Sequence, residues 1–469
     1  MKVSKNTQQL QKTKYLGSKA KSKVEPKDKH GVHRVITATT RGETDGLEYG
    51  SLERILSREN MQLAYKKVVA NKGKSGIDRM TVYELKQFLI DNWITIKENI
   101  LKGKYKPQAV RRIEIPKPNG GVRLLGIPTV LDRLIQQAIA QELNIIYDED
   151  FSISSYGFRP KKSAHDAIKQ AEKYINEGNI WIVDIDLEKF FDKVNHDILI
   201  FKLSKKIKDK RVLKLIRAYL ASGVMINGVI DRTKQGTPQG GPLSPILSNI
   251  ILDDLDKELE RRGHKFCRYA DDCNIYVKSQ RAGNRVMESI SLFIENKLKL
   301  KVNKDKSEVD RPWRRKFLGF SFYWARYTSK LRVSTEAVNR YKDKVRKITS
   351  RSKPFTIEER IIKLNLLNRG WINYFAISNC KGIIKNFEIW IKQRIRMCIW
   401  EQWKKVKTRY KNLKKLVYTH TQAIKYANTR KGYWRTANSP ILQTTLNNEF
   451  FKTVGLDSLW AKYMKSDNS

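Results

Sequence analysis

Two groups of acidic residues stand out because each is framed by β-forming residues. The first is Tyr269-Ala270-Asp271-Asp272, set between Phe266-Cys267-Arg268 and Cys273-Asn274-Ile275-Tyr276-Val277. Apolar β-formers on both sides predict a β-hairpin that presents carboxylates at a four-residue turn. The second is the run from Trp181 to Asp192, read as an apolar strand that carries acids at alternate positions. Alternation places Asp184 and Asp186 on one face of it. Carboxylates of a strand end facing an acidic hairpin can bind two Mg²⁺ ions roughly 3.5–4 Å apart, one activating a 3′-hydroxyl and the other holding a triphosphate and its leaving group. The chemistry such a site performs is nucleotidyl transfer. An isolated Asp-Asp pair is as readily a solvated turn, so the remaining blocks of the chain carry the case.

A Pro- and Gly-punctuated turn, Ile115-Pro116-Lys117-Pro118-Asn119-Gly120-Gly121-Val122-Arg123, lies between β-like runs and reads as a hairpin whose cations, Lys117 and Arg123, could close on a triphosphate. Thr237-Pro238-Gln239-Gly240-Gly241-Pro242 is a Gly-rich turn where backbone can approach a nucleotide unobstructed. These two blocks, with Gly76-Ile77-Asp78, Tyr156-Gly157-Phe158-Arg159-Pro160, the Asp186 strand, the Asp271 hairpin and Phe317-Leu318-Gly319-Phe320, occur in an order that resembles a group II intron reverse transcriptase with maturase activity. The resemblance runs from about Leu52 to the C-terminus.

That resemblance implies Asp186, Asp271 and Asp272 as catalytic metal ligands, with the backbone carbonyl of Leu187 completing the site, and Mg²⁺ as the metal with Mn²⁺ as a substitute. Family spacing to Asp192 selects Asp186 over its rival Asp184, and leaves Asp184 and Asp192 supporting or structural. It further implies that Phe191 lies under the incoming sugar and excludes a 2′-hydroxyl, that Gln239 touches the dNTP, and that Lys306 lies near the triphosphate. If the segment alternates as a strand, Phe190 faces the core and Phe191 the site.

The elements that must position these groups read as a mixed α+β chain. Residues 130 to 147 and 163 to 176 predict helices, the second capped by Ser163. Further helices follow at about 197–206 and 212–219, and one from Ser244 to Arg261. The resemblance makes this a right-hand polymerase: fingers and palm with an antiparallel sheet over 51–330, a helical thumb or maturase domain over 331–410, and a small helical DNA-binding region over 411–469. From near Ser334, Val338, Tyr341, Val345 and Ile348 trace an apolar stripe beside a charged face that includes Arg340, Lys344 and Lys347. With Arg369, Arg394, Lys404 and Lys405 these are the candidate nucleic-acid contacts. Many relatives continue into an H-N-H nuclease; the absence of cysteine and the single His420 after residue 411 resemble the class C lineage, which lacks it.

Composition agrees with a polyanion partner. The 469 residues carry a formal net charge of +46, a surplus that repels itself in isolation and that counterion release draws to phosphate backbones. No apolar run reaches the roughly 18 residues of a membrane span. Cys267, Cys273, Cys380 and Cys398 form no C-x-x-C pair and read as thiols of a reducing compartment, with a bacterial cytoplasm expected. Residues 1–50 are polar and Lys-rich, a basic extension too poor in apolar surface to fold alone. The expected partners are group II intron RNA, target DNA, an RNA template with a DNA primer, and dNTPs, with no membrane. The expected function is copying of the intron into DNA by target-primed reverse transcription during retrohoming, with splicing assistance. Two other readings stay open here: a non-catalytic RNA-binding maturase, and a domesticated reverse transcriptase in defence or repair.

Overall fold

The computed structural model describes residues 46–116, 122–226, 229–231, 236, 240–416 and 418–467. The basic extension expected over 1–50 thus lies, through residue 45, outside the described residues. From Glu48 onward the chain forms one unit, built on two antiparallel-rich sheets, a hairpin and a helical C-terminal third.

Short N-terminal helices, Leu52–Ile55 and Arg58–Ala70, start on Ser51 and Ser57, whose hydroxyls accept backbone N–H groups that the first helical turn leaves free. Strands β1 (Val110–Pro116) and β2 (Val122–Ile127) pair antiparallel, as the sequence predicts for the runs that flank residues 117–121, which lie outside the described residues. β4 (Val224–Ile226) pairs parallel to β1 and antiparallel to β5 (Val229–Asp231). Helix α1 (Val130–Tyr147) begins at Thr129, which caps Asp132, and buries Leu134, Ile135, Ala138, Ile139 and Leu143 at helical spacing. Helix α2 (Ala164–Asn176) carries the expected Ser163 cap as a full capping box with Asp166.

The second sheet runs β6-β7-β3-β8: β6 (Lys265–Tyr269), β7 (Asp272–Val277), β3 (Trp181–Ile185) and β8 (Glu308–Asp310), all neighbours antiparallel. Its two faces serve two cores. Val183, Ile185, Cys273 and Ile275 face the larger core with Phe266, under α4 (Ser244–Arg261) and α5 (Gln280–Asn296). Ile182, Cys267 and Tyr276 face the other way, where α2 packs against them and the hairpin β9 (Phe320–Ala325) and β10 (Thr328–Val333) joins the same core.

This second core is continuous with helices α6 (Thr335–Ile348), α7 (Ile357–Phe375) and α8 (Lys381–Gln402), and then with the shorter helices between Val406 and Asp467. Tyr341 and Val345 of the expected apolar stripe are buried within it. Helix bounds differ from expectation by a few residues: His196–Ser204 and Lys210–Ala221 replace 197–206 and 212–219.

One expectation is corrected. The strand read over 181–192 ends at Ile185, and Phe190–Lys193 forms a single helical turn, α3. Lys189 adopts a left-handed backbone, φ 48°, which turns the chain before Phe190 enters the core. The division of labour between Phe190 and Phe191 therefore arises from helical offset, not alternation: Phe190 is buried, and Phe191 is half-buried with its ring 5.1 Å away, edge to face.

Candidate active site

Register decides which acids meet. β3 and β7 pair Ile182 with Tyr276 and Asp184 with Asn274, and β8 sets Glu308 beside Asp184. Side chains two residues on share a face, so the next row brings Asp186, just past the end of β3, opposite Asp272, the first residue of β7. The third member of that row is Lys306, whose Nζ lies 3.4 Å from Asp186 Oδ2. The hairpin closes through the expected four-residue turn: Tyr269 pairs with Asp272, with Ala270 and Asp271 as its two central residues. Helix α2 covers the lower part of this face, and the upper rows open into a cleft of about 1400 Å³ lined by Asp184, Asp186, Asp272 and Lys306.

Asp186 is anchored through its backbone. Its N–H donates to Ser307 Oγ at 3.0 Å, and its carbonyl accepts from Asn303 N–H at 2.8 Å. Leu187 forms a bridge with Val302 and is buried in the larger core. Asp184 is committed to Arg315, whose Nη2 and Nε lie 2.5 and 3.1 Å from its Oδ2. The same guanidinium donates from Nη1 to Glu308 at 2.6 Å and from Nη2 to the Lys306 carbonyl at 3.0 Å. Burial pushes the Asp184 carboxyl upward and Arg315 opposes the shift. Asp192 is exposed, with its N–H on the Lys189 carbonyl.

The Asp271 hairpin is held from behind by groups that sequence reasoning missed. Arg268 and Asp256 form a pair with 0% exposure on both sides, Arg268 Nε and Nη2 reaching the two carboxylate oxygens at 2.7 and 2.5 Å. Arg268 Nη1 donates to Asn249 Oδ1 at 3.0 Å and to the carbonyl of Ala270, in the turn itself, at 2.9 Å. Nη2 also reaches Ser155 Oγ at 2.7 Å. Ala270 has φ 57°, a left-handed conformation that this hydrogen bond helps hold. Gly157 lies against the turn so closely that a Cβ there would come 2.3 Å from Ala270 N. A signal was present: an arginine inside an apolar strand, and an aspartate between Leu252, Leu255 and Leu259 on the buried stripe of α4, are charges that only a partner can stabilise. No comparable signal pointed to Arg315.

Do these residues suit a metal? Among the described residues, no group of three or more His, Cys, Asp or Glu side chains is close enough together to hold a metal ion. Asp186 and Asp272 share the cleft wall, whereas Asp271 is not part of that lining. The donor chemistry nevertheless fits a hard divalent cation: the acids are oxygen donors, and the Asp272 carboxyl is pushed up to about 7, first by desolvation and then by Asp271, Asp184 and Asp186, with Lys306 opposing. A cation relieves such crowding, and Lys306 supplies one positive charge already.

Of the other predicted residues, Lys117 and Gln239 lie outside the described residues, as does the side chain of Arg123, whose backbone pairs with Ile115. Gly240, next to Gln239, has φ 118°, and a Cβ there would meet the Gly126 carbonyl at 2.5 Å, so that edge of the loop sits directly on β2. Phe191 is not among the cleft-lining residues. Arg340 does line the cleft, and Arg340, Lys344 and Lys347 are exposed along α6. Lys404 and Lys405 are exposed beyond α8. Arg369 is exposed and paired with Asp457 at 3.1 Å, and Arg394 is turned inward, its Nε 2.5 Å from Thr349 Oγ1.

Comparison with known proteins agrees with this layout. Residues 115–322 match the model of "Reverse transcriptase (RNA-dependent DNA polymerase)" and residues 338–418 that of "Group II intron, maturase-specific domain". Protein YkfC of Escherichia coli K12 is 31% identical over 272 residues, covering 50% of this chain and 71% of YkfC. The group II intron-encoded protein LtrA of Lactococcus lactis is 32% identical over 340 residues, covering 57% of this chain but only 56% of LtrA. The chain therefore spans little more than half the length of that relative. Among solved structures, Candida albicans telomerase with a fragment of telomeric RNA aligns at TM-score 0.40 and 16% identity, over 75% of this chain and 71% of that one. With the two family models in this order and YkfC matched over most of its length, the chain belongs to the group II intron-encoded reverse transcriptase and maturase family.

Proposed function

We propose that the chain is an RNA-dependent DNA polymerase that binds its group II intron RNA, assists its splicing, and copies it into DNA by target-primed reverse transcription during retrohoming. The observation that carries this reading is the row Lys306, Asp186, Asp272, where the chain runs into β8, out of β3 and into β7, at the wall of a cleft that Arg340 also lines. Mg²⁺ is the metal we assign, held by Asp186, Asp272 and Asp271 with the Leu187 carbonyl; when bound it lowers the pKa of a primer 3′-hydroxyl and neutralises the triphosphate. The chain's own groups do the rest. The backbone clamps on Asp186 and Ala270 hold their side of the cleft in place before substrate arrives. Lys306 presents its ammonium to the triphosphate, and Arg315 fixes the backbone from which Lys306 extends. Lys117, Arg123, Phe191 and Gln239 are assigned to the dNTP.

Arg340, Lys344 and Lys347 form an exposed cationic track leading from the cleft along α6, which suits a phosphate backbone. Lys404 and Lys405 extend the candidate surface beyond α8. Arg369 and Arg394 are engaged within the chain, so RNA contact by them requires exchange of those partners. We assign fingers and palm to 51–330, thumb and maturase to 331–410, DNA binding to 411–469, and a bacterial cytoplasmic setting. No helix among the described residues is long and apolar enough to cross a membrane.

The test is primer extension on an RNA template with dNTPs and Mg²⁺, comparing wild type with Asp271→Ala/Asp272→Ala, alongside intron RNA binding. Template-length DNA from the wild type alone, with RNA binding equal in both, is the expected result. No product from either protein, with tight intron binding retained, would replace this reading with a non-catalytic maturase.

A further inference from the structure

Phe158 is held in a backbone conformation that its side chain opposes, yet about half of it is exposed. Its φ is 59°, and among the described residues it is the one aromatic with a positive φ. A left-handed backbone is costly for a bulky residue, and it persists only where the surroundings over-determine it. They do so here from both sides. Tyr156 N–H donates to the Arg268 carbonyl at 2.8 Å, and Asn249 Nδ2 donates to the Gly157 carbonyl at 2.8 Å. On the other flank, Arg159 is fixed by Asp148 Oδ1 at 2.7 Å and by the Asp148 and Ser152 carbonyls at 2.6 Å each.

A ring strained for the sake of packing would be buried. This one is 51% exposed. Single exposed apolar side chains are ordinary on a protein surface; one displayed on a backbone that glycine would adopt freely is not. Its position adds the second half of the argument. The Phe158 ring lies 6.2 Å from the ring of Tyr269, the residue that opens the catalytic turn, and the segment before it packs on Ala270. Three residues on, Lys161 is exposed and also left-handed, φ 60°. A pair of aromatic rings with an exposed cation three residues along the chain, in a protein of net charge +46, is a combination that suits a nucleobase and its phosphate.

We propose that Phe158 is a nucleic-acid contact: with Tyr269 it makes a two-ring shelf beside the catalytic turn, against which the end of the primer–template duplex packs, while Lys161 takes a backbone phosphate. The assignment rests on the polymerase reading and deepens it.

The experiment uses the full chain with Phe158→Gly, Phe158→Leu, Phe158→Trp and Lys161→Ala. Glycine relieves the backbone strain and removes the ring, so Phe158→Gly is expected to melt at a higher temperature than wild type while binding a primer–template duplex about tenfold more weakly, the scale of one lost stacking contact. Phe158→Leu, which keeps apolar bulk and strain, is expected to lose binding without the gain in melting temperature. Phe158→Trp is expected to bind as wild type does. Lys161→Ala is expected to flatten the salt dependence of binding by about one unit of log–log slope, with Phe158→Gly leaving that slope unchanged. A Phe158→Gly protein that binds and extends primers like wild type overturns the inference. A wild type that extends no primer overturns the polymerase reading instead.

Discussion

Removing the carboxylate of Asp256 beneath the Ala270–Asp271 turn should be far more damaging than removing both members of its ion pair. Asp256 and Arg268 are both wholly buried, and Arg268 makes five hydrogen bonds, two to Asp256 and one each to Asn249, Ala270 and Ser155. Asp256→Leu leaves a guanidinium unpaired in a site with no access to water. Breaking such a pair costs about 3–5 kcal/mol, a large share of the roughly 5–15 kcal/mol by which a folded protein is stable. Replacing both groups, Asp256→Leu with Arg268→Met, removes the stranded charge and should restore most of the loss, since apolar groups of similar volume substitute well for buried ion pairs. The double variant nevertheless lacks the Nη1 donor on the Ala270 carbonyl. It should therefore fold and bind RNA while synthesising DNA slowly, because Asp271 and Asp272 follow directly from a turn no longer held. Urea unfolding monitored by circular dichroism measures the first part, and primer extension under saturating dNTP the second. A loss under about 1 kcal/mol for Asp256→Leu, or a double variant less stable than the single, would refute the reasoning; so would full polymerase activity in the double.

Two further outcomes follow from the same geometry. Gly157→Ala places a methyl 2.3 Å from Ala270 N, where the obstacle is backbone and cannot rotate away; overpacking of this kind costs about 1–3 kcal/mol and should displace the turn, lowering both thermal stability and primer extension. Arg315→Ala removes the donor that fixes the Lys306 carbonyl and neutralises Asp184. If Arg315 acts through Lys306, the losses in the two single variants will not add in Arg315→Ala/Lys306→Ala, and a double-mutant cycle on the KM for dNTP reads this directly; strict additivity would show that the two act separately.

The order of blocks and the type of most elements were legible in the sequence, because local pattern encodes them. Alternating apolar residues and a two-acid break specify a hairpin wherever it lies in the molecule, and Ser163 marks a helix start by hydrogen-bonding chemistry confined to one turn. The boundary at Phe190 was misread because a left-handed lysine leaves no trace in hydrophobic periodicity. What only the tertiary structure decided is which groups face one another. Asp186 meets Asp272 through the register of β3 on β7, a property of backbone pairing between segments some 85 residues apart. Arg315 on Asp184, and Arg268 reaching from behind to the Ala270 carbonyl, depend on distances that no local spacing encodes. The sequence by itself determined the inventory of chemistry and the elements that carry it. Long-range packing decided which carboxylates line the cleft, which are engaged by arginines, and which ring is half-exposed beside the turn.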